Sequence, residues 1–182
     1  MHQIIHSQTV YSGKVFEVRV DHLQLDSGKV IKLDIVQHNG AIVLVPLDRE
    51  GNIWLVNQYR HAAGETLLEL PAGTLEKDED PLTSAQRELR EEIGMAASRF
   101  TLLGEFYIAP GYSTEYLYIY LAEDLTVDPL PLDEDEMITV VKVPVAEVLA
   151  WVKQKKIRDA KTLASLLLAE TYLQDKFRSY SG

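Results

Sequence analysis

The sequence predicts an α/β domain. Three observations carry this: period-two apolar stretches bounded by turn residues, one strongly capped helix in mid-chain, and two helical stretches after the last strand. The chain has 182 residues, enough for one domain with a sizeable core. Hydrophobic residues make up 46% and charged residues 25%, the balance of a globular protein. No repeat or low-complexity linker divides it. Residues 1–182 are therefore read as one domain, with an N-terminal strand region over 1–38 and a core over 39–182.

The elements follow in order. Val15 to Leu25 reads as a strand, Asp26-Ser27-Gly28-Lys29 as a hairpin turn, and Val30 to Gln37 as the antiparallel partner. Ala41 to Leu47 and Ile53 to Arg60 are strands joined by the turn Asp48-Arg49-Glu50-Gly51. A helix opens at Asp80, a good N-cap, with Pro81 suited to the first helical position. Leu82, Ala85, Leu89 and Ile93 form its apolar stripe, and Gly94 ends it in the left-handed conformation. Thr101 to Ala109 and Tyr116 to Leu121 make another strand pair, and Ile138 to Val143 is a late strand. Pro144 opens a helix through about Gln154, and Asp159 caps a last one to about Lys176. Tyr116, Tyr118 and Tyr120 share one strand face, for packing or as a wall for an aromatic ligand.

Composition excludes several functions. There is no Cys, hence no disulfide and no thiolate metal site. The five His lack ligand spacing, so structural or surface roles are expected. Net charge is −10, which repels nucleic acid and anionic membranes. No apolar run reaches transmembrane length and no signal-like start is seen, so the cytoplasm is the default location.

The informative stretch runs from Gly73 to Met95. Glu88, Glu91 and Glu92 stand at i, i+3 and i+4 of the mid-chain helix, so three carboxylates leave one face within about one turn. Such a cluster repels itself unless neutralised, and hard oxygen ligands suit Mg²⁺ or Mn²⁺. Gly73 lets backbone approach a ligand, so the carbonyl of Ala72 could join the metal shell. Arg87 and Arg90 interleave with the glutamates and can pair with or orient them. The reading is divalent metal held against a phosphate.

Gly73, Glu79, Arg87, Glu88, Leu89, Glu91, Glu92, Gly94 and Met95 match every fixed position of the Nudix box, Gly-x5-Glu-x7-Arg-Glu-U-x-Glu-Glu-x-Gly-U, with U a bulky apolar residue. Seven fixed identities at roughly 7% usage each coincide by chance about once in 10⁸ windows. The chain thus resembles the Nudix hydrolases, which cleave nucleoside diphosphates linked to another moiety. The resemblance implies an α/β/α sandwich around a mixed sheet.

Gln58-Tyr59-Arg60 and Leu68-Glu69-Leu70-Pro71-Ala72-Gly73 resemble the approach to the box in ADP-ribose pyrophosphatases. Pro110, sixteen residues after Gly94, matches the marker proline of that subfamily. Ala109-Pro110-Gly111-Tyr112-Ser113-Thr114-Glu115 resembles its Ser-Pro-Gly-x-x-x-Glu loop, with Ala for Ser. Asp133-Glu134-Asp135-Glu136 is similar to its late acidic loop. Where members of the subfamily stack adenine on aromatics, this chain has Val15 and Leu33, and alternation turns Phe16 the other way.

The resemblance implies the following mechanism. Two or three Mg²⁺, or Mn²⁺ in substitution, are held by Glu88, Glu91, Glu92, the Ala72 carbonyl and Glu136. Water attacks phosphorus in line. Glu134 is the first choice of base, with Glu136 and Glu91 as alternatives. Arg87 orients the box glutamates. Arg60 and Glu115 hold the phosphate and terminal ribose, and Gln58, Glu69, Pro110 and Gly111 complete the substrate contacts. ADP-ribose would give AMP and ribose 5-phosphate. By the same resemblance the N-terminal strands pair with a second subunit to make a homodimer, and the partner molecule is a small nucleotide conjugate. The same chemistry on FAD, NADH, a dinucleoside polyphosphate or a nucleotide sugar stays open, as do a non-hydrolytic nucleotide sensor and an interaction scaffold.

Overall fold

The computed structural model describes residues 2–132 and 137–180. Its elements are β1 (Gln3–Ser12), β2 (Glu17–Gln24), β3 (Val30–Gln37), β4 (Ala41–Pro46), β5 (Asn52–Arg60), β6 (Glu65–Glu69), β7 (Ala72–Thr74), α1 (Pro81–Ile93), β8 (Met95–Tyr107), β9 (Tyr116–Val127), β10 (Ile138–Pro144), α2 (Val145–Lys153) and α3 (Ala160–Tyr180).

At the centre is a mixed sheet of order β7-β4-β9-β8, in which β4 and β9 run parallel and the other pairs antiparallel. Every residue of β4 is buried, which explains its unbroken apolar run. Alternation sends Val43 and Val45 to one face, where they meet Leu166, Ala169 and Leu173 of α3. Ile42 and Leu44 go to the other face, where they meet Ala85, Leu89 and Ile93 of α1. The result is helix, sheet, helix, as the sequence implied. A second sheet, β10-β5-β6, is antiparallel throughout.

The helix signals act as read. Asp80 accepts from the Thr83 amide at 3.0 Å, and Gly94 caps α1 at φ 69°. Asp159 accepts from the Thr162 amide and hydroxyl at the start of α3. Leu82 departs from the expected stripe: it is exposed, because it sits in the first turn of α1 beyond the cover of the sheet.

Three strand readings need correction. The N-terminal hairpin is a three-stranded sheet, since β1 pairs with β2. Register shifts between Ile4 and His6 and between Thr9 and Tyr11 insert extra residues, which breaks the alternation that would mark a strand. The first strand of the hairpin starts at Glu17, not Val15, because a turn closes over Gly13–Phe16 with the Gly13 amide donating to the Phe16 carbonyl at 3.0 Å. β8 begins at Met95, six residues before the expected Thr101. The weak strand formers of its Met-Ala-Ala-Ser opening are carried by pairing with the far end of β9. No helix among the described residues is long and apolar enough to cross a membrane.

Candidate active site

The site is built where α1, β7 and the end of β5 meet. α1 presents Glu88 and Glu92 on its inner side, both nearly buried, with Glu91 beside them. β7 runs past this face. A Cβ on Gly73 would lie 1.9 Å from the Glu88 carboxyl carbon, so only glycine lets that carboxylate lie against the strand. The Ala72 amide donates to Glu92 Oε2 at 3.0 Å, which ties β7 to the end of α1.

Arg87 organises the carboxylates. Its Nη1 donates to Glu88 Oε1 at 2.7 Å and Glu91 Oε2 at 2.8 Å, and its Nη2 to Glu79 Oε2 at 3.1 Å. Burial alone would weaken the hold of Arg87 on its proton, but the Glu79 hydrogen bonds and the Glu88 charge outweigh it. Burial likewise pushes Glu79 up, and its bonds to Arg87 bring it below the usual carboxylate range. One guanidinium thus serves three carboxylates. Arg90, expected to share this task, turns away to Asp128 at 3.1 Å, because it leaves the opposite side of the helix.

Two cavities flank β7. The larger, about 590 Å³, is lined by Glu88, Glu91, Arg87, Gln58 and Arg60, with Lys14, Val15 and Asn39 closing its N-terminal side. The smaller, about 320 Å³, is lined by Arg60, Glu115, Asp159 and Lys161. Ala72, Gly73, Thr74 and Arg60 border both.

The expected substrate residues divide accordingly. Gln58, Arg60 and Glu115 face these cavities. Glu69 does not: it is 1% exposed and receives Arg60 Nε and Nη2 at 2.9 and 2.7 Å, with Lys161 Nζ on the same carboxylate. It lies behind Arg60, whose guanidinium it holds strongly cationic. Pro110 lines a separate hollow with Tyr107, Tyr116 and Tyr118, and Gly111 lines neither cavity at the box. Val15 reaches the larger cavity, whereas Leu33 on β3 does not. Phe16 packs on Tyr11 with ring centroids 5.9 Å apart. Glu134 and Glu136 lie outside the described residues. Lys161 was missed by sequence reading, since its partner Glu69 is 92 positions away. A charged residue two positions after an N-cap was the only local signal.

A NUDIX domain model matches residues 36–166. The chain belongs to the Nudix hydrolase family. It is 38% identical over 174 residues to the ADP-ribose pyrophosphatase of Bacillus subtilis (strain 168), covering 94% of this chain and 92% of that one. It is 36% identical over 172 residues to the methanol dehydrogenase activator of Bacillus methanolicus, covering 93% and 91%. A crystal structure of an ADP compounds hydrolase superposes with a TM-score of 0.85 at 25% identity, over 96% of this chain and 95% of that chain. Nudix hydrolases use divalent metal ions, and the residue set of α1 suits one: hard oxygen donors within one turn, against a strand that only glycine brings this close. In the rotamers described, Glu88 and Glu91 serve Arg87 and Glu92 serves the Ala72 amide. Among the described residues no three such side chains converge as a ligand set.

Proposed function

We propose that this Nudix protein hydrolyses the pyrophosphate of ADP-ribose to AMP and ribose 5-phosphate. The observation that carries the reading is the meeting of the box carboxylates with Arg60 across Gly73, at one cavity large enough for a nucleotide. The name of the Bacillus subtilis relative supports the substrate.

In this reading Glu88, Glu91, Glu92 and the Ala72 carbonyl would hold Mg²⁺, which when bound would neutralise phosphate charge and activate water. Arg87 keeps Glu88 and Glu91 aligned through its two Nη1 bonds. Arg60, fixed by Glu69, presents its fork to the phosphates. Gln58 lines the nucleotide side and Glu115 the far side. The proton of the attacking water goes to Glu134, with Glu136 and Glu91 the alternatives.

The proposal includes a homodimer through the β1–β3 sheet. All ten residues of β1 are exposed, and Ile4, Val10 and Tyr11 are each more than half exposed. A three-stranded sheet with bare apolar side chains gains stability by covering them.

The test is product analysis with Mg²⁺ on ADP-ribose, FAD, NADH, a dinucleoside polyphosphate and GDP-mannose, with Glu92→Gln alongside. AMP and ribose 5-phosphate from ADP-ribose, slowed by about two orders of magnitude or more in the variant, are expected. Preference for another conjugate overturns the substrate, and undiminished turnover in the variant overturns the ligand set.

A further inference from the structure

Asp159 and Lys161, at the start of α3, take no part in the reading above, yet both line the smaller cavity. That cavity lies across the Ala72–Gly73–Thr74 strand from the box glutamates and shares Arg60 with the larger one. A substrate whose phosphates sit at Arg60 therefore has one half on each side. At about 320 Å³ the smaller cavity is at the low end for ligand sites, the size of a sugar phosphate rather than a second nucleoside. Its floor is Ile108 and Leu117, and no aromatic ring lines it among the described residues, so a base finds nothing to stack on.

The polar groups match the same ligand. Ionised Glu115 and Asp159 only accept hydrogen bonds, which suits the hydroxyls of a sugar. Arg60 and Lys161 only donate, which suits phosphate oxygens. Lys161 is fixed in place: its Nζ is 3.0 Å from Asp159 Oδ2 and also bonds Glu69, and its side chain is 17% exposed. Asp159 is fixed in turn by the Thr162 hydroxyl at 2.6 Å, and that hydroxyl accepts from the Leu70 amide at 2.8 Å. A polar wall so braced is set before the ligand arrives.

We infer that Asp159 and Lys161, which line the α3-side cavity beside Arg60 and Glu115, are specificity-determining residues for the sugar-phosphate half of the substrate. The inference rests on the proposed reaction, but its test does not require turnover. Binding of ribose 5-phosphate and of AMP is measured calorimetrically with Mg²⁺ present, on wild type, Asp159→Asn and Lys161→Met. Asn caps a helix as well as Asp, so Asp159→Asn keeps the start of α3 even if Lys161→Met lowers stability. Ribose 5-phosphate is expected to weaken about tenfold or more in each variant, the loss of one good hydrogen bond, while AMP changes less than about twofold. Equal weakening of both ligands, ribose 5-phosphate binding that ignores both substitutions, or none to wild type overturns the inference. Failure of the proposed reaction is told apart by a separate sign, the absence of AMP when wild type meets ADP-ribose.

Discussion

Gly73 stands where the smallest change would do most harm. A methyl group there falls 1.9 Å from both the Glu88 carboxyl carbon and its Oε1, far inside any non-bonded contact. Either the carboxylate turns away or β7 moves off α1 and its Ala72–Glu92 hydrogen bond stretches. Gly73→Ala is expected to cost about 1–3 kcal/mol in urea unfolding and to lower kcat by at least about tenfold at saturating Mg²⁺. A variant with wild-type stability and rate would show that Glu88 has no fixed place against the strand. Arg87 plays the complementary part. Three carboxylates crowd it, so its charge is what allows α1 to carry its acidic face before metal arrives.

Between residues and the whole, elements are held by a few side chains at their ends. The β4–β5 turn hangs on Asp48, whose Oδ1 accepts the amides of Glu50 and Asn52 at 3.0 and 2.9 Å, and whose Oδ2 accepts Trp54 Nε1 at 3.0 Å. Burial pushes this carboxyl up, but the Asn52 and Trp54 bonds win and hold it below the ordinary range. A depressed folded pKa means that the stabilisation is complete above the unfolded value of 3.8 and is lost as pH falls through the folded one. Asp48→Ala is expected to lose about 1–2 kcal/mol at neutral pH, the lower part of the range because the turn is half in solvent. The gap between variant and wild type should narrow in melts below the unfolded pKa. A gap independent of pH would mean that packing, not the charge, holds the turn.

The same scale explains what could be read in advance. α1 was legible from end to end because its signals are local: Asp80, Pro81 and Gly94 act on their own neighbours. β1 was not, since its two irregularities set Ile4 beside Ile5 and Val10 beside Tyr11 and hide the strand period. β6 and β7 escaped because Pro71 interrupts a run too short to show alternation. Glu69 was recognised as a site residue, but its burial was not legible. Arg60 comes to it through the β5–β6 hairpin, but nothing near it in the chain tells of Lys161, 92 residues on at the start of α3.

For the whole molecule, the β1–β3 sheet is the part with least support. Its ties to the core run through the end of β3, where the Val36 amide donates to the Tyr112 carbonyl at 2.7 Å and the Thr114 amide to the Val36 carbonyl at 2.9 Å. These reach the loop that carries Glu115. With the proposed dimer, Val10→Asp combined with Tyr11→Asp is expected to halve the mass seen by sedimentation equilibrium at micromolar protein. An unchanged mass, whether monomer or dimer, would remove this sheet from the interface.

The bonds from Lys161 to Glu69 and from the Leu70 amide to Thr162 each span 92 residues. On the ribosome, β6 is made long before α3, and Glu69 waits without Lys161 until α3 emerges. A chain cut short before Asp159 would carry the whole Nudix box and the Glu69 that holds Arg60, yet lack the Lys161 that shares that carboxylate. These two bonds should therefore form only once α3 has been made, and be the first lost when α3 peels away.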